Sequence, residues 1–148
     1  MTRTQPFQRS YVGPGFEQAH VRDAMRLGVI TCRPETTLAD VARMMSGYGI
    51  HCVVVADVDA GGHNRPWGVV DAVDVAAAGA DAHTRTAGEV ATTDLVTIES
   101  DAPLKRAAEL MAEHGTTHLI AVQPGTDKPV GVIGASGLAA VLAWGRPG

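Results

Sequence analysis

The chain has 148 residues, of which 45% are apolar and 19% charged, and carries a formal net charge of −4. That profile lies well away from disordered chains and supplies enough apolar surface for one self-supporting domain. A mildly acidic balance without a basic stripe excludes nucleic acid and anionic lipid as partners, and no apolar run reaches the length of a membrane span.

Residues 1–20 read as a tail. Its first ten residues lack the apolar core of a secretion signal, which makes the cytoplasm the default address. Phe7, Tyr11 and Phe16 are three of the six aromatic residues in the chain, so the tail is expected to pack on the rest of the chain or on a second subunit. A β-branched run at 29–32 then predicts a strand, and a helix follows. Its apolar residues Leu38, Val41, Ala42 and Met45 recur at helical spacing, with Thr37 as cap, Asp40 three positions on, and Gly49 just past the end. Apolar runs at 52–55 and 67–70 predict two more strands, separated by turn-rich residues 57–66, and an alanine-rich helix is expected over 72–80.

The same series then returns. A strand at 95–98 leads to a helix with apolar Leu104, Ala107, Ala108 and Met111, with Pro103 expected in its first turn and Gly115 beyond its end. Strands at 119–122 and 130–133 flank a turn at 123–129, and a last helix covers 135–144. Leu38 and Leu104 stand 66 residues apart; a longer first loop reduces the offset to 63 from Gly68 and Gly131 onward. The fold class is therefore α+β: two pseudo-symmetric βαββα-type units. Their strands are apolar on both faces, so the units are expected to pack sheet to sheet with helices outside and a ligand cleft between them. Met44, Met45 and Met111 read as packing residues. Cys32 and Cys52 sit in apolar runs and read as free core thiols, with a bridge or a reactive thiol as the alternative.

The residues Val21-Arg22-Asp23-Ala24-Met25, Thr31 with Pro34-Glu35-Thr36-Thr37-Leu38, Met45, Gly68-Val69-Val70 and Asp74 carry a resemblance, repeated more loosely in the second half. They resemble tandem cystathionine-β-synthase (CBS) domains, the pair also called a Bateman module, over roughly residues 21 to 143. The resemblance implies one repeat at 21–80, a linker at 81–86 and a second repeat at 87–144. It also implies a regulatory, non-enzymatic module that requires no cofactor and binds AMP, ATP or S-adenosylmethionine between its repeats. A homodimer is expected. Because 145–148 lead nowhere, the regulated effector is expected to be a separate protein. The ligand-binding residues so implied are Thr31, Cys32, Pro34, His51, Asp71 and Asp74 in the first repeat, with Thr97, Ile98, His118, Gly134 and Ser136 in the second.

In the family, a hydroxyl after the last strand meets phosphate and an Asp three residues later holds the ribose. Here the first copy keeps Asp74 but places Asp71 where the hydroxyl belongs, and the second, Gly134-Ala135-Ser136-Gly137, has neither. A carboxylate at 71 repels phosphate, so the expected preference is for a neutral or cationic tail such as that of S-adenosylmethionine. Ser136 is alternatively a cap of the last helix. The alternative function is a degenerate pair kept as a dimerisation or protein-interaction scaffold. Ser136, His118 and Asp74 are catalytic side-chain types, but no motif frames them. His114 and His118 have ligand spacing, but Gly115 should end the helix between them, so no metal site is expected.

Overall fold

The computed structural model describes residues 11–62 and 64–146. Its elements fall into two units: a central one, Val29–Leu95, and a split one that joins the residues up to Gly28 with those from Val96. Two short elements come first, helix α1 (Val21–Ala24) and strand β1 (Arg26–Leu27), and both belong to the split unit.

The central unit contains β2 (Thr31–Cys32), α2 (Leu38–Tyr48), β3 (Cys52–Val58), β4 (Asn64–Asp71), α3 (Ala72–Ala78), a 3₁₀ turn (Gly79–His83) and α4 (Ala87–Val90). Thr37 starts α2 as expected, its hydroxyl accepting from the Asp40 N–H at 3.2 Å, and Gly49 ends it in the left-handed region at φ 65°. Leu38, Val41 and Met45 are buried against Val53, Val55 and Val70. β2 runs parallel to β3, and β3 runs antiparallel to β4 with Cys52 opposite Asp71. The hairpin reaches further than its turn-like composition suggests. A bulge between Val55 and Ala56 seats Pro66 without breaking the ladder, so pairing continues out to Val58 and Asn64.

α3 stops at Ala78, two residues earlier than expected, because Gly79 leaves the helical region at φ 54°. Of the stretch 81–86, residues 81–83 close the 3₁₀ turn, where Ala82 is buried, and 84–86 lead into a capping box. There the Thr86 N–H donates to Glu89 Oε1 at 2.7 Å, which holds the Glu89 carboxyl below its usual range.

The split unit continues with β5 (Thr97–Glu99), α5 (Leu104–His114), β6 (His118–Val122), β7 (Pro129–Gly134) and α6 (Ala135–Trp144). Its pairing repeats the central unit's at the offsets read from the sequence. Thr97 lies opposite Ile120 as Thr31 lies opposite Val54, His118 opposite Gly134 as Cys52 opposite Asp71, and a bulge falls between Ala121 and Val122. Pro103 stands one position earlier than expected. It is the extended residue before the helix, and the Leu104 N–H donates to Ala19 at 2.9 Å.

Each sheet gains a further edge that hydrophobic patterning did not reveal. β1 pairs antiparallel with β7, Arg26 opposite Val132 and Leu27 opposite Gly131. In the central unit Thr92, 66 residues after Arg26, bridges in the same way Val69 on β4, which stands 63 residues before Val132. The segment leading into each repeat thus joins the other repeat's last strand. Such approach requires glycine: a Cβ on Gly131 would lie 2.5 Å from the Arg26 carbonyl oxygen, and one on Gly68 2.9 Å from the Ala91 Cβ.

Residues 11–19 of the tail contribute to the split unit's core. Tyr11 is buried, its hydroxyl donates to the Pro14 carbonyl at 2.9 Å, and Phe16 packs beside it. The Arg146 N–H donates to Gly13 at 3.0 Å, fastening the tail to the end of α6. Phe7 lies outside the described residues. Cys32 and Cys52 are free and buried, as core thiols would be.

Candidate functional site

In the central unit, the end of β4 and the start of β3 form a corner. The Ala72 N–H donates to the His51 carbonyl at 2.9 Å, which ties the start of α3 to that of β3. Asp71 caps α3, its Oδ1 accepting from the Val73 N–H at 2.7 Å, while Asp74 Oδ2 reaches back to the Asp71 N–H at 2.9 Å. The two carboxylates thus form a reciprocal capping box. Asp74 is half-buried, and its Oδ1 accepts no hydrogen bond from the described residues.

Cys52 lies beside both acids. Burial first, then the negative charges of Asp71 and Asp74, push its thiol up to about 12. His51, Asp71 and Asp74 therefore meet at one corner, and Cys52 joins them although the family resemblance did not single it out. The available sign was its register: it opens the strand that runs back to Asp71.

Thr31 and Cys32 lie on β2, on the opposite side of β3 from Asp71. Burial raises the Cys32 thiol, and a hydrogen bond with Thr36 partly offsets that. The Pro34 carbonyl accepts from the Gly88 N–H at 2.9 Å, so this corner is held by α4. His51, which is exposed, also borders a groove of ≈ 460 Å³ whose walls include Met45, Ile50, Ala72 and Val75.

The split unit divides its expected residues into two groups. Thr97 and Ile98 line a groove of ≈ 380 Å³ with Glu99, Val122 and 125–127, in which Glu99 Oε2 accepts from the Gly125 N–H at 2.6 Å. Glu99 follows the expected strand directly and carries no periodic pattern that would mark it. His118, Gly134 and Ser136 gather where β6 meets α6. The His118 Nδ1 lies 3.1 Å from the Thr117 hydroxyl, and a Cβ on Gly134 would lie 3.3 Å from the His118 ring. Ser136 does not cap α6: Gly134 holds the cap position, no side chain bonds the free amides there, and Ser136 stands exposed inside the first turn.

Gly115, left-handed at φ 61°, ends α5 at His114, and His118 opens β6, so these two imidazoles share no helix face. Among the described residues no group of three or more His, Cys, Asp or Glu side chains is placed to hold a metal ion. Nor is any helix among them long and apolar enough to cross a membrane.

Two units with one strand order, one register and one bulge position define a tandem-repeat α+β protein. The CBS domain family model matches residues 21–81 and again 87–143, so the chain belongs to the CBS domain family. Its fold is that of a CBS domain pair. The chain is similar to the CBS domain pair of protein MJ0100, solved in complex with 5′-methylthioadenosine and S-adenosyl-L-methionine. That match has a TM-score of 0.71 at 20% identity and covers 84% of this chain and 96% of the other. Hypoxic Response Protein I, solved with two coordinated zinc ions, is 25% identical, with a TM-score of 0.64 over 82% of this chain and 97% of that one. A putative acetoin utilization protein (AcuB) from Vibrio cholerae is 26% identical, with a TM-score of 0.67 over 84% and 90%. Among curated proteins, none matches the sequence.

Proposed function

We propose that the chain is a non-catalytic regulatory CBS pair that binds an adenosine-containing ligand and signals its presence to a separate protein, acting as a cytoplasmic homodimer. The observation that carries this reading is Asp74. One oxygen is fixed on the Asp71 amide, which orients the carboxylate, and the other remains open to accept from ribose hydroxyls. Thr31, Cys32, Pro34 and His51 serve the same repeat, and Thr97, Ile98, His118, Gly134 and Ser136 serve the second. The MJ0100 pair, with its methylthioadenosine and S-adenosylmethionine, supports the ligand class.

Asp71 narrows that class. Its carboxylate already occupies the Val73 amide and adds a negative charge where a phosphate chain would otherwise meet the helix start. S-adenosylmethionine is therefore favoured over AMP or ATP at this corner. In thermal-shift and calorimetric titrations S-adenosylmethionine should raise the melting temperature, since a ligand at 100 times its Kd stabilises the folded chain by about 2.7 kcal/mol. Asp74→Ala should abolish the shift. Tighter ATP binding at this corner would overturn the charge argument, and no shift with any adenosyl compound would overturn the ligand reading. A second reading, a ligand-free interaction scaffold, is favoured by one observation. Both acids already serve as helix caps, and the split unit has glycines, Gly134 and Gly137, in their places. The same titrations separate the two.

A further inference from the structure

The groove beside His51 is continuous with the acid corner of the central unit. The Ala72 N–H donates to the His51 carbonyl at 2.9 Å, and these same two residues border the groove of ≈ 460 Å³. Asp71 and Asp74 open α3, and Val75 and Ala76, which supply one wall of the groove, follow directly after Asp74. A helix advances about 1.5 Å per residue, so a group leaving a ribose held by Asp74 meets that wall within one turn. Met45 and Ile50, each 8% exposed, line the groove from the α2 side. No lysine, arginine, aspartate or glutamate is among its lining residues. Its volume falls within the range of small-molecule pockets, about 300–1,000 Å³.

We propose that this groove is a second subsite of the ligand corner and takes an uncharged, apolar substituent on the ribose 5′ carbon of an adenosine. The inference rests on the proposed function, since Asp74 must hold the ribose for the 5′ carbon to stand beside α3. Charge decides the class. A phosphate chain would meet Asp71 at the corner and find no cation in the groove, and the carboxylate of a methionine tail would likewise find no counter-ion there. An alkylthio chain gains by leaving water and covers Met45, Ile50 and Val75. Asp71 therefore places ATP below S-adenosylmethionine, and the groove places an uncharged chain above both.

Calorimetric titration of the full chain with adenosine, its 5′-methylthio, propylthio and butylthio derivatives and S-adenosylmethionine tests this. Each added methylene should tighten binding about two- to fourfold, the upper figure being that of complete burial, so the butylthio compound should bind at least about eightfold tighter than the methylthio one. It should also bind tighter than S-adenosylmethionine. Ala76→Glu sets a carboxylate in the exposed wall of the groove and should bring the methylthio and butylthio affinities within about twofold of each other. Should that variant fail to fold, Ser46→Phe, at an exposed position on α2, fills the groove from the opposite wall and should do the same. If none of the compounds binds, adenosine included, the ligand reading itself fails and the subsite goes with it. If adenosine binds and chain length makes no difference, the subsite alone fails. A gain with chain length that survives both variants, or tighter binding of S-adenosylmethionine than of the butylthio compound, would overturn the proposal. So would affinity independent of chain length together with dimers that Ala76→Glu splits in sedimentation, which would give the groove to a second copy of the chain.

Discussion

Cys52 shows how much of the candidate site is decided by single side chains. Its thiol, at about 12 in the folded chain against an ordinary 9.0, keeps its proton longer when folded than when unfolded. The linked stability is therefore fully present below pH 9 and is lost as pH climbs from 9 toward 12, because the unfolded chain ionises first. Cys32 and Tyr11, also raised by burial, act in the same direction, so the alkaline loss has several contributors. Cys52→Ala should flatten part of the fall in melting temperature above pH 9, and an identical pH profile would remove Cys52 from the effect. Asp71 and Asp74 were recognisable as a pair, because they stand at the hydroxyl and ribose positions of the family motif; that they form a reciprocal capping box came from the structure. The half-buried setting of Asp74 was not recognisable, because it depends on β3 folding back against the start of α3.

At the scale of elements, α2 and α5 show local chemistry at its most predictive. Both end on a left-handed glycine with nothing within 4 Å of where a Cβ would stand, so the glycine is required by backbone conformation alone. Gly49→Ala and Gly115→Ala should each cost about 1–2 kcal/mol in urea denaturation. Gly47, inside α2 and equally uncrowded, should give the opposite sign, Gly47→Ala stabilising by about 0.5–1 kcal/mol. Equal effects at 47 and 49 would sink the conformational argument. The β3–β4 hairpin shows where local reading stops. Asp57, Asn64 and Pro66 look like turn residues, yet cross-strand backbone bonds and one bulge carry them inside the ladder. Side-chain identity describes a turn well only where no partner strand lies within reach.

At the scale of the whole molecule, residues 11–19 are joined to the end of α6 within the split unit. Tyr11 fills its core and braces Pro14, whose neighbour Gly13 receives the Arg146 N–H. Tyr11→Ala should destabilise that unit by about 3 kcal/mol through the cavity it leaves. Tyr11→Phe, which keeps the ring and removes one hydrogen bond, should cost about 1 kcal/mol. Hydrogen exchange resolved along the sequence would place both losses at 96–146, and a loss absent from those residues would show the tail to be a passenger.

By itself the sequence determined the repeat, its 66- and 63-residue offsets, the helix faces and their caps, and membership of a family, because helical periodicity, cap chemistry and motif spacing all act within a few residues. Only the tertiary structure decided which segment completes which sheet. β1 has two exposed residues and no apolar pattern, and Thr92 contributes a single bridge, so nothing in their side chains announces a strand. They are held by backbone hydrogen bonds to residues far away in the chain, on strands whose glycines leave room for them, and pairing of that kind exists only once the distant partner has folded.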